Sequence, residues 1–148
     1  MKRALVIGAG GQDGSYLCDI LLEKGYEVHG FYRHSSVDNL TRIAHVRDRL
    51  TLHAGDVTDA LSLAVAFDKS RPDEVYHVAD QDKVGYSFET PSVSVDVTYG
   101  GTVNVLEIVR RFCPTARVFI PASATIFGDA TPPQSESTPF APKSPYAC

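Results

Sequence analysis

The sequence predicts an α/β fold with one doubly wound parallel sheet. Short continuous apolar runs, typical of strands that are covered on both faces, alternate with stretches whose apolar residues recur at helical spacing. The first apolar run leads directly into a glycine-rich loop and then into the first helical stretch. Because strands and helices alternate along the chain, we expect the strands to pair in parallel through right-handed crossovers.

Strands and helices are predicted along most of the chain. The predicted strands are Arg3–Gly8, Tyr26–Tyr32, Leu50–His53, Glu74–Val78 and Val118–Ala122. The predicted helices are Gln12–Lys24, a short stretch around Asn39–Val46, Asp59–Lys69 with Thr58 as its cap, and Pro91–Phe112, which two glycines weaken in the middle. From Ser123 onward, prolines, serines and threonines predict an extended loop. The elements fit one Rossmann-type domain over residues 1–148.

Composition and charge limit the possible partners. The 148 residues are 43% hydrophobic and 22% charged, as in ordinary globular domains. A net charge of -4 gives no electrostatic case for nucleic acid or an anionic membrane, and no apolar run approaches the roughly 20 residues that span a bilayer. Three widely spaced cysteines suit a reducing cytoplasm, and neither they nor the histidines show metal-ligand spacing, so no metal site is expected.

The glycine-rich loop after the first predicted strand is the candidate phosphate-binding element. Gly8 permits a tight turn, Gly11 removes a side chain where backbone must approach a pyrophosphate, and Gly14 lets the helix pack closely on the sheet. Gln12 and Asp13 open the helix, whose N-terminus attracts phosphate. The alternative is a glycine-rich turn without a ligand. The position of the glycine-rich loop between a strand and a helix favours binding of a dinucleotide.

The end of the second predicted strand bears on the choice between NAD and NADP. A carboxylate there would accept hydrogen bonds from the ribose of NAD and would repel a 2′-phosphate. None occurs before Asp38, whereas Arg33 can pair with a phosphate, and Ser35 or Ser36 can donate to it. These residues favour NADP and leave NAD possible. The alternative is that Arg33 is a solvated surface residue without a phosphate partner.

Two further strand ends complete the predicted cofactor site. Asp56 and Val57 follow the third strand and are expected at the adenine edge, with an acidic cluster at a helix N-terminus as the alternative for Asp56. Val78 ends the fourth predicted strand, and Ala79 follows it. Open α/β sheets bind their ligands at the carboxyl ends of their strands, so all four residues are candidates.

Hydroxyl groups mark the candidate catalytic end. Ser123 and Thr125 follow the fifth predicted strand, whose carboxyl end faces the nicotinamide position. Tyr146 lies much later in the chain. Considered alone, Ser123 fits a strand-end cap and Tyr146 a packing residue.

The glycine spacing resembles that of the extended short-chain dehydrogenases/reductases, which modify nucleotide sugars. Blocks along nearly the whole chain resemble the GDP-mannose 4,6-dehydratase family in particular. They are Gly11–Leu17, Glu23–Gly30, Arg33–Ser36, Arg42–His45, Gly55–Asp59, Pro72–Tyr76, Val84–Pro91 and Ser144–Ala147.

This resemblance implies roles for the catalytic candidates. Tyr146 would take the proton of the sugar C4 hydroxyl, Ser123 would orient that hydroxyl, and the dinucleotide would accept the hydride. The family's lysine, four residues after the tyrosine, falls beyond Cys148. We therefore expect a chain truncated before that lysine and the substrate domain, and inactive alone. The full-length protein is implied to take a nucleotide-diphosphate sugar and to form a homodimer or homotetramer through Pro91–Phe112.

Two residues depart from the family pattern. Thr125 stands where the dehydratases carry a glutamate that removes the C5 proton, and this stretch instead resembles UDP-galactose 4-epimerases. Asp80 puts an unexpected carboxylate near the cofactor. The sequence therefore indicates an NADP-dependent nucleotide-sugar enzyme that begins by oxidising C4, like GDP-mannose 4,6-dehydratase. A UDP-sugar 4-epimerase, a 4-keto reductase and a non-catalytic dinucleotide-binding module are the alternatives.

Overall fold

The computed structural model describes all 148 residues and contains one five-stranded parallel sheet. Its strands are β1 (Arg3–Ile7), β2 (Glu27–Arg33), β3 (Thr51–Gly55), β4 (Glu74–His77) and β5 (Arg117–Phe119). They lie in the order β3-β2-β1-β4-β5, and every neighbouring pair is parallel. The predicted doubly wound α/β fold is confirmed. From β1 the chain continues on one side through β2 and β3 and then crosses to the other side for β4 and β5. The carboxyl ends of β1 and β4 therefore mark the topological switch point.

Helices cover both faces of the sheet. They are α1 (Gln12–Glu23), α2 (Ala60–Ser70), α3 (Val84–Glu89), α4 (Pro91–Ser94) and α5 (Gly101–Phe112), with 3-10 turns at Thr41–Arg49 and Ala124–Phe127. A π-helical segment, Val95–Gly100, joins α4 to α5 with right-handed helical backbone at both junctions. The long helix predicted over Pro91–Phe112 is thus confirmed, and its middle is π-helical.

The core consists of two apolar layers, one on each face of the sheet. Leu5 and Ile7 of β1 pack with residues of α2 and α5, whereas Ala4 and Val6 pack with residues of α1 and the first 3-10 turn. Both faces of β1 are therefore buried, which explains its uninterrupted apolar run. Cys18 belongs to the second layer, where burial raises the pKa of its thiol to about 12.

Several predicted boundaries differ from those of the structure by a few residues, and two differences have a clear physical reason. Asp59, not Thr58, caps α2, and its side chain accepts a hydrogen bond from the Leu61 N–H at 3.1 Å. Thr58 is occupied elsewhere, since its N–H and hydroxyl both donate to Asp56 Oδ1, at 2.9 and 2.7 Å. The fifth strand ends at Phe119, before Pro121, which has no N–H to donate to a sheet.

One helix was absent from the sequence prediction. The short α3 lies between β4 and the long helical run, and it exposes the apolar residues Val84, Tyr86 and Phe88.

No helix of the chain is both long and apolar enough to cross a membrane.

Candidate functional site

A cleft of about 530 Å³ opens at the carboxyl ends of β1 to β4. It lies at the topological switch point, where open α/β sheets bind ligands. The loops after these strands and the π-helical segment supply its lining. These residues are Gly8, Gly10, Gly11, Gln12, Asp13, Gly14, Phe31, Tyr32, Arg33, Asn39, Gly55, Asp56, Val57, Val78, Ala79, Asp80, Asp82 and Val97.

The structure brings most of the predicted cofactor residues together in this cleft. Those that line it are Gly8, Gly11, Gln12, Asp13, Gly14, Arg33, Asp56, Val57, Val78 and Ala79. Ser35 and Ser36 are exposed and lie outside the lining. The Ser35 hydroxyl instead accepts a hydrogen bond from the Val37 N–H at 3.2 Å within the loop after β2.

The loop after β1 is built from close backbone contacts. Gly8 has φ +97°, a conformation that favours glycine, and its N–H donates to the Phe31 carbonyl at 2.9 Å. A Cβ on Gly14 would lie only 2.1 Å from the Gly8 carbonyl oxygen. A Cβ on Gly10 would lie 2.4 Å from the Asn39 carbonyl oxygen. These three glycines are therefore required by the fold itself.

Gly11 differs from the other glycines of this loop. Its φ of -75° suits any residue, and the one close contact of an added Cβ is 3.2 Å to the Gly8 carbonyl oxygen, which would have to move by a few tenths of an ångström. It is the N-cap of α1 and carries no side chain to satisfy the free N–H groups of the first turn. Those groups remain available to an anion in the cleft.

Sequence reasoning missed several lining residues. Gly10 was not counted among the spaced glycines, although all four residues of Gly8–Gly11 are glycine or alanine. Asn39 enters the cleft because its side-chain amide donates to the Arg33 carbonyl at 2.7 Å and folds the loop after β2 back. Only the tertiary structure shows this contact.

The cleft wall after β4 is acidic and hydrogen-bonded. Asp80 Oδ1 accepts hydrogen bonds from the Gln81 N–H at 2.7 Å and from the Thr98 hydroxyl of the π-helical segment. His77, at the end of β4, is 3% exposed, and its Nδ1 has no hydrogen-bond partner. Its Nε2 lies 3.5 Å from the Thr102 hydroxyl. Burial lowers the pKa of His77, and the nearby charge of Asp80 opposes that effect.

The catalytic candidates lie in two groups outside the cleft lining. Ser123 caps the 3-10 turn Ala124–Phe127, where its hydroxyl lies 2.8 Å from that of Thr125 and accepts the Thr125 N–H at 3.2 Å. Tyr146 is half-buried, and its backbone N–H donates to the Ser87 hydroxyl of α3 at 3.3 Å. Ser123 and Thr125 are thus joined directly, and Tyr146 is held by α3.

A family model described as GDP-mannose 4,6 dehydratase matches residues 5–148 of the chain. The chain belongs to the GDP-mannose 4,6-dehydratase family. It is 46% identical over 158 residues to GDP-mannose 4,6 dehydratase 1 of Arabidopsis thaliana, and 43% identical over 157 residues to GDP-mannose 4,6-dehydratase of Yersinia enterocolitica. Each alignment covers 99% of this chain. The resemblance noted in the sequence is confirmed.

Solved structures agree with the fold of this dehydratase-family chain. UDP-glucose 4-epimerase of Thermus thermophilus, solved with NAD, superposes with a TM-score of 0.82 at 29% identity, over 98% of this chain and 46% of the epimerase. The Brucella ovis epimerase, also solved with NAD, gives 0.84 at 26% identity, over 99% and 44%. The chain also spans less than half the length of the two dehydratases, at 44% and 42%.

Proposed function

We propose that the chain binds a nicotinamide dinucleotide, with NADP preferred, as the cofactor-binding part of an enzyme that oxidises a nucleotide sugar at C4. The observation that carries the proposal is the presence of glycine at position 11, the N-cap of α1. The fold excludes a side chain at the other glycines of this loop, whereas an added Cβ on Gly11 would be tight against one atom only, the Gly8 carbonyl oxygen at 3.2 Å. A pyrophosphate at this position, against the free N–H groups of α1, accounts for the glycine.

Arg33 supports the choice of NADP. It lies at the end of β2 and lines the cleft, and its guanidinium forms no ion pair with a carboxylate. A 2′-phosphate on the adenine-side ribose would give it a bidentate partner. NAD is the alternative dinucleotide, since the Thermus thermophilus and Brucella ovis epimerases were solved with it.

Family membership supports a dehydratase reaction on a GDP-mannose-type sugar. In this proposal Tyr146 accepts the C4 hydroxyl proton, and Ser123 orients that hydroxyl. Thr125 favours a second candidate, a 4-epimerase or 4-keto reductase, because a neutral hydroxyl does not remove the C5 proton during loss of water. Its hydroxyl bonds to that of Ser123, and no carboxylate lies in the sequence from Ser123 to Gly128.

We also propose that the full-length protein pairs with a second copy. The π-helical segment and α5 expose Val95, Tyr99, Val103 and Leu106 at helical spacing, a face typical of helix pairing. A monomer in light scattering of the complete gene product would contradict this.

The three free thiols support a reducing, cytoplasmic location.

Cofactor binding is tested by titrating NADP⁺ and NAD⁺ against the chain and a Gly11→Ala variant. We expect the variant to melt near the wild-type temperature and to lose about tenfold or more in dinucleotide affinity, because its methyl group occupies the pyrophosphate position. Gly85→Ala is the matched control, since a Cβ there meets no atom within 4 Å. Wild-type protein that binds neither dinucleotide overturns the proposal.

The reaction is tested on the protein encoded by the complete gene, incubated with the dinucleotide and either GDP-mannose or UDP-galactose. A 4-keto-6-deoxy product, detected by mass spectrometry as the loss of one water, supports the dehydratase. Epimerisation at C4 without loss of water supports the second candidate. Cofactor binding with no turnover of either sugar overturns the enzymatic part and leaves a dinucleotide-binding module.

A further inference from the structure

We propose that Asp80 makes this cleft prefer the oxidised dinucleotide over the reduced one. The inference rests on the proposed dinucleotide-binding function and adds a determinant of redox-state preference. It begins from an observation that this function does not use: a carboxylate held in place on the cleft wall beyond β4.

The position of Asp80 assigns it to the nicotinamide half of the bound dinucleotide. The pyrophosphate belongs at the loop after β1, and the adenine-side ribose belongs beside the end of β2. The other half of the molecule must therefore extend over β4, on the opposite side of β1 in the sheet. Asp80 follows β4 and lines the cleft there.

Two hydrogen bonds fix the direction of this carboxylate. The Gln81 N–H and the Thr98 hydroxyl both donate to Oδ1, and Oδ2 accepts no hydrogen bond. Thr98 belongs to the π-helical segment, where the wider helical turn is a form often found at functional sites. An oriented charge of this kind needs no rearrangement when the ligand enters.

The surrounding charges leave Asp80 uncompensated. Asp82 is the other charged residue of the cleft wall beyond β4, and it adds a second negative charge. Arg33, the cation of the cleft lining, lies across the cleft at the end of β2. His77, at the end of β4, is buried, and burial lowers the pKa of its imidazole more than the charge of Asp80 raises it, which favours a neutral ring.

The two redox states of the cofactor differ in the charge of the nicotinamide ring. That ring is positive in the oxidised dinucleotide and neutral in the reduced one, while the phosphates carry the same charge in both. A fixed carboxylate on this side of the cleft therefore stabilises the oxidised form selectively, and selective binding is what shifts an equilibrium between states. Because Asp80 is exposed to solvent, we expect an effect of about threefold to tenfold in relative affinity.

The test measures the dissociation constants of NADP⁺ and NADPH for wild type, Asp80→Asn and Thr98→Val. Asp80→Asn keeps the shape of the side chain and removes its charge, so we expect the preference for the oxidised form to fall by about threefold to tenfold. Thr98→Val keeps the charge but frees the carboxylate, so a smaller fall in the same direction is expected. Asp48→Asn, exposed and without a hydrogen-bond partner, controls for net charge and should change nothing.

The outcomes separate this inference from the proposed function. If Asp80→Asn binds both forms with the wild-type ratio of affinities, the inference is overturned and dinucleotide binding stands. If wild-type protein binds no dinucleotide, both are overturned. Added salt should reduce the wild-type preference, because it screens exposed charges. A preference that is independent of salt and equal in all variants would show that the charge of Asp80 is not its source.

Discussion

The glycine loop after β1 and the segment from Ser123 to Tyr146 are specified in different ways. In the loop, backbone atoms approach so closely that side chains are excluded at Gly10 and Gly14. In the later segment the candidate groups are side-chain hydroxyls, and Ser123 itself has φ -90°, which other residues adopt equally well. The close backbone contact of that segment lies instead at Gly128, where an added Cβ would be 2.1 Å from the Ala141 carbonyl oxygen. The spacing of glycines therefore reveals a site built from backbone, whereas a site built from side chains depends on which residue stands at each position.

The largest expected effect is that of Gly14→Ala, which tests the backbone-built region. Its Cβ would lie 2.1 Å from the Gly8 carbonyl oxygen and 3.0 Å from Ala9 Cα, so α1 must move away from the loop. We expect a loss of about 3 kcal/mol or more in the free energy of unfolding, measured by denaturant titration. Dinucleotide binding should be lost as well. A cost near that of the Gly85→Ala control would contradict the account of this loop.

A buried histidine pair between β2 and β3 tests how far side chains, rather than backbone contacts, stabilise this part of the sheet. His29 Nδ1 lies 2.9 Å from His53 Nε2, and the two rings are parallel within 9°. Burial, followed by the charges of His29 and Lys69, lowers the pKa of His53 to about 4. The folded state therefore resists protonation of this ring, while the unfolded chain protonates it near its ordinary value of 6.5.

Stability should consequently fall as the pH falls from about 6.5 to about 4, because the unfolded state binds more protons in that window. The expected contribution is about 2–3 kcal/mol, measured as the difference in pH dependence between wild type and His53→Gln. His77, whose pKa is also lowered, adds a dependence of the same sign to both proteins. His34→Gln serves as the control, because His34 is exposed and forms no hydrogen bond or ion pair. Equal slopes for wild type and His53→Gln would refute the assignment.

Two adjacent glycines allow a finer test of backbone specification. A Cβ on Gly101 would lie 2.8 Å from Val57 Cγ2, whereas a Cβ on Gly100 would meet only the Val95 carbonyl oxygen at 3.8 Å. We expect Gly101→Ala to cost about 1–3 kcal/mol, because α5 must shift away from a cleft residue. Gly100→Ala should be neutral or stabilising by up to about 1 kcal/mol, since alanine favours helix over glycine. Thermal unfolding of the two variants side by side checks this, and similar melting temperatures would contradict it.

The sequence predicted the fold because its signals are local. Buried parallel strands give continuous apolar runs, and a glycine such as Gly14 is required by close contacts with residues only a few positions away in the chain. The missed features depend on contacts between distant residues or on competition between neighbouring ones. Asp80 accepts a hydrogen bond from Thr98, which lies 18 residues further along the chain. Asp59 caps α2, while the neighbouring Thr58 donates to Asp56. The short α3 leaves its apolar residues exposed, so no pattern of burial marked it.

The smallest expected effect belongs to Ser123→Ala, which tests the side-chain-built region. The substitution removes the cap of the 3-10 turn and the contact between the Ser123 and Thr125 hydroxyls. A lost cap of this kind costs about 1 kcal/mol, measured as a shift in the denaturant midpoint. Ser123 lies outside the cleft lining, so dinucleotide affinity of the chain should stay within about twofold of wild type. Thr125→Val, which keeps the backbone N–H that Ser123 accepts, should cost less than Ser123→Ala. A larger loss of stability than that of Gly14→Ala would reverse the comparison, because the later segment would then hold the fold together rather than only present its hydroxyls.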